Sequence, residues 1–382
     1  MKIKKLLALM VCGIIALGAT ACITTDSTDS STGDGPDAPA FVAKPVDGIA
    51  PLFDEGMGYY NIQPSILYED ANTMHVYYTV NETFEDTDSV IGYKKGTLEN
   101  GVWTFGEKKI VLRKGEETAW DGANISNCDV VKGEFNYNGE VYNYLMAYQG
   151  GSNNNHKNYQ IGFAVSKTAD GEFVKVGTAP VVSYDDVALG YSWGIGQPSL
   201  VSYEGGKVYL FYTMGDALAT QTYVSELDAS NLNDIKGANV YNSISTDGLL
   251  ENNIYVMLND ADFAIDTTNG ILYVVRNYNP AATSAPSLNT AVQVAKVALA
   301  DLYKPNCVWE IIDEKVNLLD LATEETGGWE RVYSGCIASD AYGHVNGATA
   351  IELGITVTSW DNTTKDYTHY QTIITYTISL GE

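Results

Sequence analysis

Three aspartates, Asp129, Asp260 and Asp262, stand at the starts of predicted β-strands, where they could carry acid–base chemistry. Inverting hydrolysis of a glycosidic bond needs one carboxylic acid to protonate the leaving oxygen and a carboxylate about 6.5–9.5 Å away to activate water. A third acidic residue can tune the pKa of the acid. The three aspartates are therefore candidate catalytic residues, although Asp129 and Asp262 could equally bond backbone amides at the strand starts.

A second set of residues has the chemistry to hold a sugar. Amide groups pair with sugar hydroxyls, and aromatic faces combine apolar and polar contact with sugar rings. Polar loops rich in Asn and Gly often shape binding sites. The candidate binding residues are Gln63, Gln197, Trp120, Trp193, His156 and Asn346. The alternatives are axial hydrogen bonding for the glutamines and core packing for the tryptophans.

Motifs for metal, redox or phosphate chemistry are absent from the sequence, which contains no CxxC, HExxH, GxSxG or phosphate-binding glycine loop. We expect no metal site and no cofactor; a structural cation in a central channel is an alternative that no residue pattern indicates. Cys128, Cys307 and Cys336 have no metal-type spacing. They are compatible with one disulfide and a free thiol, or with three free buried thiols.

An internal repeat organises the predicted strands. Residues 63–80 and 197–214 share a polar residue, Pro-Ser, an apolar strand, a turn and an aromatic strand. Degenerate copies occupy 128–148 and 262–275, and a weaker copy begins at 344. The copies start near 63, 129, 197, 262 and 346. A repeat of this length fits a four-stranded blade, so the sequence predicts an all-β, five-bladed β-propeller, with a β-sandwich as the alternative.

The repeat resembles the blades of the five-bladed propeller glycoside hydrolases of families 43, 62 and 117. The Pro-Ser-Ile-Leu run at 64–67 and the Val-Tyr-Tyr-Thr run at 76–79 resemble their inner strands, and residues 161–173 and 225–232 resemble outer strands. The resemblance covers most of residues 58–300. It implies the propeller fold and work on carbohydrate.

The sequence departs from that family at the catalytic positions. The resembling hydrolases carry their general base, an Asp, at the first inner strand, where this chain has Gln63, and an amide cannot take a proton from water. Asp129 matches the aspartate that tunes the acid. The family's Glu-Gly-Pro acid has no counterpart. Three functions therefore remain open: a glycosidase with a rearranged acidic set, a non-catalytic glycan-binding protein, and a scaffold or adhesion protein.

The N-terminal region has the pattern of an exported lipoprotein. Residues 1–21 combine three lysines, a short apolar stretch and small residues, which predicts a secretory signal peptide. The small residues before Cys22 resemble a bacterial lipobox, which implies lipidation of Cys22; ordinary cleavage beside an incidental Cys is the alternative. Residues 22–40 predict a disordered Ser/Thr/Asp linker, and residues 41–382 form the propeller domain.

The charge balance restricts the partners. The chain has 22 Lys+Arg against 48 Asp+Glu, a net charge of −26. This balance argues against nucleic acid and against anionic membrane surfaces, and it disfavours a strongly anionic polysaccharide unless a local basic patch intervenes. We expect an extracytoplasmic monomer that binds a neutral carbohydrate and meets the bilayer only through its lipid anchor.

Overall fold

Twenty-one β-strands and one short 3₁₀ helix (Leu299–Asp301) make up the regular structure of the residues that the computed structural model describes. The described residues are 51–53, 60–83, 88–153, 158–183, 194–215, 220–249, 258–278, 291–305, 307–317, 331–358 and 371–380. All of them fall within one compact unit, residues 40–382.

The strands form five separate sheets, or blades, that follow one another along the chain. Blade 1 consists of β1 (Ile62–Asp70), β2 (Thr73–Asn81), β3 (Ser89–Glu99), β4 (Val102–Phe105) and β5 (Lys109–Leu112). Blade 2 consists of β6 (Asn124–Tyr137), β7 (Glu140–Gly151), β8 (Gln160–Ser166) and β9 (Val174–Lys175). Blade 3 consists of β10 (Gly194–Glu204), β11 (Lys207–Gly215), β12 (Thr220–Asp228) and β13 (Asn242–Ser243).

The last two blades follow the same antiparallel order. Blade 4 consists of β14 (Asp262–Asp266), β15 (Ile271–Tyr278), β16 (Ala291–Ala298) and β17 (Glu310–Asn317). Blade 5 consists of β18 (Arg331–Ile337), β20 (Ala350–Thr358) and β21 (Gln371–Ser379). The short strand β19 (Ser339–Asp340) leaves blade 5 and pairs in parallel with β1 of blade 1. The predicted five-bladed β-propeller is confirmed.

Apolar side chains fill the space between neighbouring blades and explain the sequence pattern of the strands. Tyr77 packs into the cluster shared by blades 1 and 2, whereas the adjacent Tyr78 packs into the cluster shared by blades 5 and 1. Successive side chains of a strand point to opposite faces, so a blade that is covered on both faces needs apolar residues at consecutive positions. The runs of Val, Tyr and Ile that suggested the repeat are therefore strands buried on both sides.

The circle of blades is closed by residues that precede blade 1. Pro51 forms an antiparallel bridge with Ile374 of β21, and the amide of Leu52 donates to the Ile373 carbonyl at 2.7 Å. The described N-terminal residues thus extend blade 5, so the two ends of the domain are held together by backbone hydrogen bonds.

The fifth blade begins earlier than the sequence predicts. Its inner strand is β18, with Ser334 at the position that Gln63 holds in blade 1, and the predicted start near 346 lies beyond β19. Blade 5 lacks the Pro-Ser pair and the aromatic second strand, so the repeat gave no signal there. The cysteines agree with one of the two alternatives, since Cys128, Cys307 and Cys336 are free and buried.

No helix in the described part of the chain is both long enough and apolar enough to span a bilayer. The predicted signal peptide, Cys22 and the linker of residues 22–40 lie outside the described residues.

Candidate functional site around the propeller axis

One residue near the start of each inner strand adopts a left-handed backbone conformation. Asn populates this region more readily than most residues with a side chain, and the conformation is uncommon outside glycine. The five residues and their φ angles are Gln63 (56°), Asn127 (46°), Gln197 (54°), Asp260 (50°) and Ser334 (47°). In blades 1, 2, 3 and 5 the strand register shifts directly after this residue, as at a β-bulge. The bulge turns these residues towards a common mouth at the axis.

The backbone amides of these residues tie each blade to the one before it. Asn127 N donates to Thr79 Oγ1 of blade 1 at 3.0 Å, and Ser334 N donates to Asn277 Oδ1 of blade 4 at 2.7 Å. Blades 1 and 3 repeat the arrangement through donation from Gln63 N to Thr356 Oγ1 and from Gln197 N to Gln149 Oε1. Because a strained residue persists only where its surroundings fix it, this recurring bond accounts for the five left-handed residues.

Two residues deeper along each strand lies a second ring of side chains, made of Ser65, Asp129, Ser199, Asp262 and Cys336. Ser65 Oγ donates to Asp129 Oδ1 at 2.6 Å, and Asp129 Oδ2 accepts from the Leu200 amide at 2.6 Å. This ring joins blade 1 to blade 2 and blade 2 to blade 3 without any direct strand pairing between those inner strands.

Asp262 repeats the arrangement on the other side of the axis. Ser199 Oγ donates to Asp262 Oδ1 at 2.7 Å, and the Ile337 amide donates to Asp262 Oδ2 at 2.7 Å. Both oxygens of each ring carboxyl, in Asp129 and in Asp262, therefore accept hydrogen bonds from neighbouring blades. We call the five residues Ser65, Asp129, Ser199, Asp262 and Cys336 the deep ring.

Burial governs the acidity of the two ring carboxyls. Desolvation, followed by the charge of Asp262, raises the pKa of Asp129 to about 8, while the amide and hydroxyl donors oppose that rise. Desolvation also raises the pKa of Asp262 to about 6. A narrow axial cavity still leaves both side chains partly accessible. Burial therefore favours the neutral form of these carboxyls at pH values where a carboxyl in water is ionised.

The mouth above the deep ring is lined mainly by amide groups. Gln63 Oε1 accepts from Thr79 Oγ1 at 2.8 Å, and Gln197 Oε1 accepts from the Asp260 amide at 3.0 Å. Among the described residues, no hydrogen bond involves the Nε2 groups of these glutamines or the side-chain amide of Asn127. Three amide groups that can donate therefore surround the cavity.

Asp260 is the carboxylate of the mouth. Its Oδ2 accepts from Asn277 Nδ2 at 3.2 Å and from the hydroxyl of Ser334, and burial raises its pKa. The enclosed cavity between the mouth and the deep ring has a volume of about 30 Å³. Ligand pockets usually measure roughly 300–1,000 Å³. This cavity is therefore too small to enclose a sugar on its own.

The opposite end of the axis is closed by the segment that follows β18, the inner strand of blade 5. The carbonyls of Ala341, Tyr342 and Gly343 accept from inner-strand amides of blades 2, 3 and 4, namely Lys132, Ser202 and Ile265. Because β19 also pairs with β1, residues 339–345 contact the inner strands of blades 1, 2, 3 and 4. We call this segment the plug, and it leaves the mouth as the open end of the axis among the described residues.

The predicted site residues divide into three groups. The structure brings Gln63, Gln197 and Asp260 together at the mouth and places Asp129 and Asp262 in the deep ring. Trp193 and His156 lie outside the described residues, so their roles stay predictions.

The other two predicted binding residues are not at the mouth. Trp120 is partly buried and stacks on Tyr148, with ring centroids 5.7 Å apart, over Gly150 and Gly162 of blade 2. Asn346 lies beyond the plug, where its Oδ1 accepts from the amide of Thr267 at 2.7 Å. Thr267 follows the end of β14, so Asn346 is at the opposite end of that strand from Asp262.

Sequence reasoning missed two residues of the mouth: Asn127, because the second copy was aligned two residues out of step, and Ser334, because the fifth copy was placed near 346, after β18. The structural equivalents of Gln63 are Asn127 and Asp260, whereas Asp129 corresponds to Ser65. Asn at position 127 was the available signal, since Asn tolerates the left-handed region. The part of the chain that the structure describes contains no group of three or more His, Cys, Asp or Glu side chains arranged to hold a metal ion.

Comparison with known structures supports the fold. An α-L-arabinofuranosidase from Lactobacillus brevis superposes with a TM-score of 0.53 at 11% identity, covering 84% of this chain and 93% of that chain. The catalytic domain of a Coprinopsis cinerea family 62 α-L-arabinofuranosidase superposes with a TM-score of 0.53 at 12% identity, covering 89% of this chain and 97% of that chain. A family 117 glycoside hydrolase from Zobellia galactanivorans superposes with a TM-score of 0.51 at 13% identity, covering 89% of this chain and 92% of that chain.

No protein-family model and no curated protein matches the sequence. At these low identities the structural likeness establishes the fold, and the predicted resemblance to the propellers of families 43, 62 and 117 is confirmed at that level.

Proposed function

We propose that this protein binds a neutral glycan at the mouth of the propeller axis and displays that site outside the cytoplasm. The observation that carries the proposal is the ring of uncommitted amide donors from Gln63, Asn127 and Gln197 around the acceptor Asp260. Sugar hydroxyls both donate and accept, so mixed amide and carboxylate groups suit them. An acidic mouth in a chain with a net charge of −26 favours a neutral ligand.

The experiment is a titration of the folded domain with neutral oligosaccharides by isothermal calorimetry. Arabino- and xylo-oligosaccharides come first, because similar structures include enzymes named α-L-arabinofuranosidase and β-xylosidase. We expect binding of at least one neutral glycan that a Gln63→Ala, Gln197→Ala double variant loses. A wild-type protein that binds none of a broad neutral panel contradicts the proposal.

Hydrolysis of the bound glycan is the second candidate function, and Asp260 is the observation that favours it. A general acid must hold a proton at the working pH, and burial raises the pKa of the Asp260 carboxyl at the mouth. Asp129 and Asp262 are the other predicted catalytic carboxyls. If the protein is a glycosidase, Asp260→Asn should lower turnover of aryl glycosides by about 10²-fold or more while binding persists. Wild-type turnover in that variant excludes Asp260 as the acid.

Export and lipidation through Cys22 form the localisation part of the proposal. The support is the order of positive residues, apolar stretch and small residues before that cysteine. Cys22→Ala should leave the protein exported but release it from the membrane fraction at high salt. If the variant still sediments with membranes, the lipid anchor is wrong and the glycan proposal is unaffected.

A further inference from the structure

A cleft lies between blades 1 and 2, on the face opposite the mouth. Its volume is about 320 Å³, which falls within the roughly 300–1,000 Å³ range of ligand pockets. The lining comes from the end of β1, from β2, β3, β6 and β7, and from the turn after β8. The lining residues that matter here are Glu69, His75, Tyr93, Lys95, Lys132, Asn143, Tyr144 and Asp170.

The back of the cleft is rigid and aromatic. His75 is buried, with Nδ1 2.8 Å from the Tyr93 hydroxyl and Nε2 3.2 Å from Glu69 Oε2. Burial lowers the pKa of His75, so the imidazole is neutral at neutral pH. Tyr93 and Tyr144 are buried in the apolar cluster shared by the two blades. Because Tyr93 is 1% and Tyr144 is 6% exposed, these side chains form a fixed base beneath the cleft and offer a ligand little aromatic surface.

Two lysines supply charge that the protein itself does not neutralise. Among the described residues, Asp170 pairs with Lys109 at 2.6 Å and Glu69 Oε2 lies 3.2 Å from the neutral His75, but no ion pair involves Lys95 or Lys132. A third lysine of the cleft, Lys167, pairs with Glu140. The chain has a net charge of −26, so a cavity lined by two lysines without an ion pair is a local positive region on a negative protein.

We propose that this cleft is a second saccharide site, selective for a sugar that carries one carboxylate, a uronic acid. Lys95 and Lys132 bind the carboxylate, and Asn143, Glu69 and Asp170 accept from the hydroxyls of the sugar. The overall negative charge disfavours long polyanions, whereas a local pair of lysines suits a single acidic residue of an otherwise neutral glycan.

The test compares a uronic-acid-terminated disaccharide with its carboxyl-reduced, neutral counterpart by calorimetry at low salt. We expect the acidic disaccharide to bind at least about tenfold more tightly, because a charge-assisted hydrogen bond is worth about one decade of affinity or more. Lys95→Gln and Lys132→Gln should each remove about that factor. Lys236→Gln is the matched control, since this exposed lysine lies far along the chain and pairs with Asp234.

Three results would overturn the proposal: equal affinity for the two disaccharides, wild-type affinity in both lysine variants, or acetate binding as tightly as the acidic disaccharide. Circular dichroism and the melting temperature show that each variant is folded. The Gln63→Ala, Gln197→Ala variant separates the two sites, because it should lose the neutral glycan and keep the acidic one. Loss of both ligands in that variant would mean a single site and would also contradict the proposal.

Discussion

The mouth and the deep ring are built from the same strands only two residues apart, yet their polar groups are used differently. In the deep ring, both oxygens of Asp129 and of Asp262 accept hydrogen bonds from other blades. At the mouth, the amide oxygens of Gln63 and Gln197 are engaged, whereas their nitrogens make no hydrogen bond within the described residues. The deep ring holds the blades together, and the mouth keeps donors for a ligand.

The difference follows from the bulge that separates the two levels. A left-handed residue followed by a register shift directs one side chain to the mouth and the residue two positions later into the axis. The left-handed residue is fixed through its backbone amide, and its side chain is Gln, Asn, Asp or Ser in the different blades. The deep position has to complete a hydrogen bond to the next blade, and it is Ser, Asp or Cys.

The largest expected effect is a loss of stability when the deep ring is broken. Asp129→Ala removes the acceptor for the Ser65 hydroxyl and for the Val130 and Leu200 amides, and these donors stay buried. We expect the free energy of unfolding to fall by about 3 kcal/mol, since each unpaired buried donor costs about 1–3 kcal/mol. Equilibrium denaturation in urea measures the change.

Asp266→Ala is the matched control for that prediction. Asp266 is also buried and also accepts three hydrogen bonds, but all come from Thr268 and Asn269 in its own turn. We expect a loss of about 1 kcal/mol, because an opened turn can expose its donors to water. Equal losses in the two variants would show that the deep ring has no special role in joining the blades.

The second prediction concerns pH. A carboxyl whose pKa is higher in the folded state binds more protons when folded, so its contribution to stability is complete below the unfolded pKa and is lost as pH rises. For Asp129 the window runs from its ordinary value of 3.8 to about 8. We therefore expect the unfolding free energy of Asp129→Asn to decline less steeply than that of the wild type between pH 5 and pH 8.

Asp228→Asn serves as the control for the pH series. Hydrogen bonds from Ser230 lower the pKa of Asp228, so it titrates below 3.8 and contributes no slope in this range. If the wild type and Asp129→Asn have parallel stability profiles from pH 5 to pH 8, the ring carboxyl is ionised throughout. Burial would then not favour the neutral form of Asp129 in this pH range.

The fold was predictable because blades buried on both faces produce nearly continuous apolar runs at regular intervals. The Gln-Pro-Ser starts at residues 63 and 197 made the repeat visible. Blade 5 was not located correctly, because its second strand reads Ile-Glu-Leu-Gly-Ile at residues 351–355, without the aromatic run of the other copies. The aliphatic strand still packs between the blades, but a search for the aromatic run does not find it.

The site was only partly predictable, because its decisive feature is a backbone angle. Gln63, Gln197 and Asp260 were expected at strand starts and are found at the mouth, but Asn127 was passed over for Asp129. Asn127 lies at the mouth, whereas Asp129, two residues later, forms hydrogen bonds between blades. The spacing between degenerate copies is not accurate enough to tell these two positions apart. The plug was equally hidden, since its bonds to blades 2, 3 and 4 use backbone carbonyls that carry no sequence signal.

The smallest expected effect, and the sharpest test of the mouth, is the loss of one amide donor in Asn127→Gly. Glycine accepts the φ of 46° at this position without strain and keeps the backbone bond to Thr79, so stability should change by less than about 1 kcal/mol. Neutral-glycan affinity should fall by about tenfold or less, the value of one hydrogen bond.

The matched control is Asn138→Gly, which removes an exposed Asn with a φ of 52° from the β6–β7 hairpin, at the other end of the same strand. Both variants replace an Asn in the left-handed conformation, but only Asn127 lies at the mouth. Equal glycan affinity in the two variants, measured by calorimetry, would remove Asn127 from the site and leave the mouth with its two glutamines as donors.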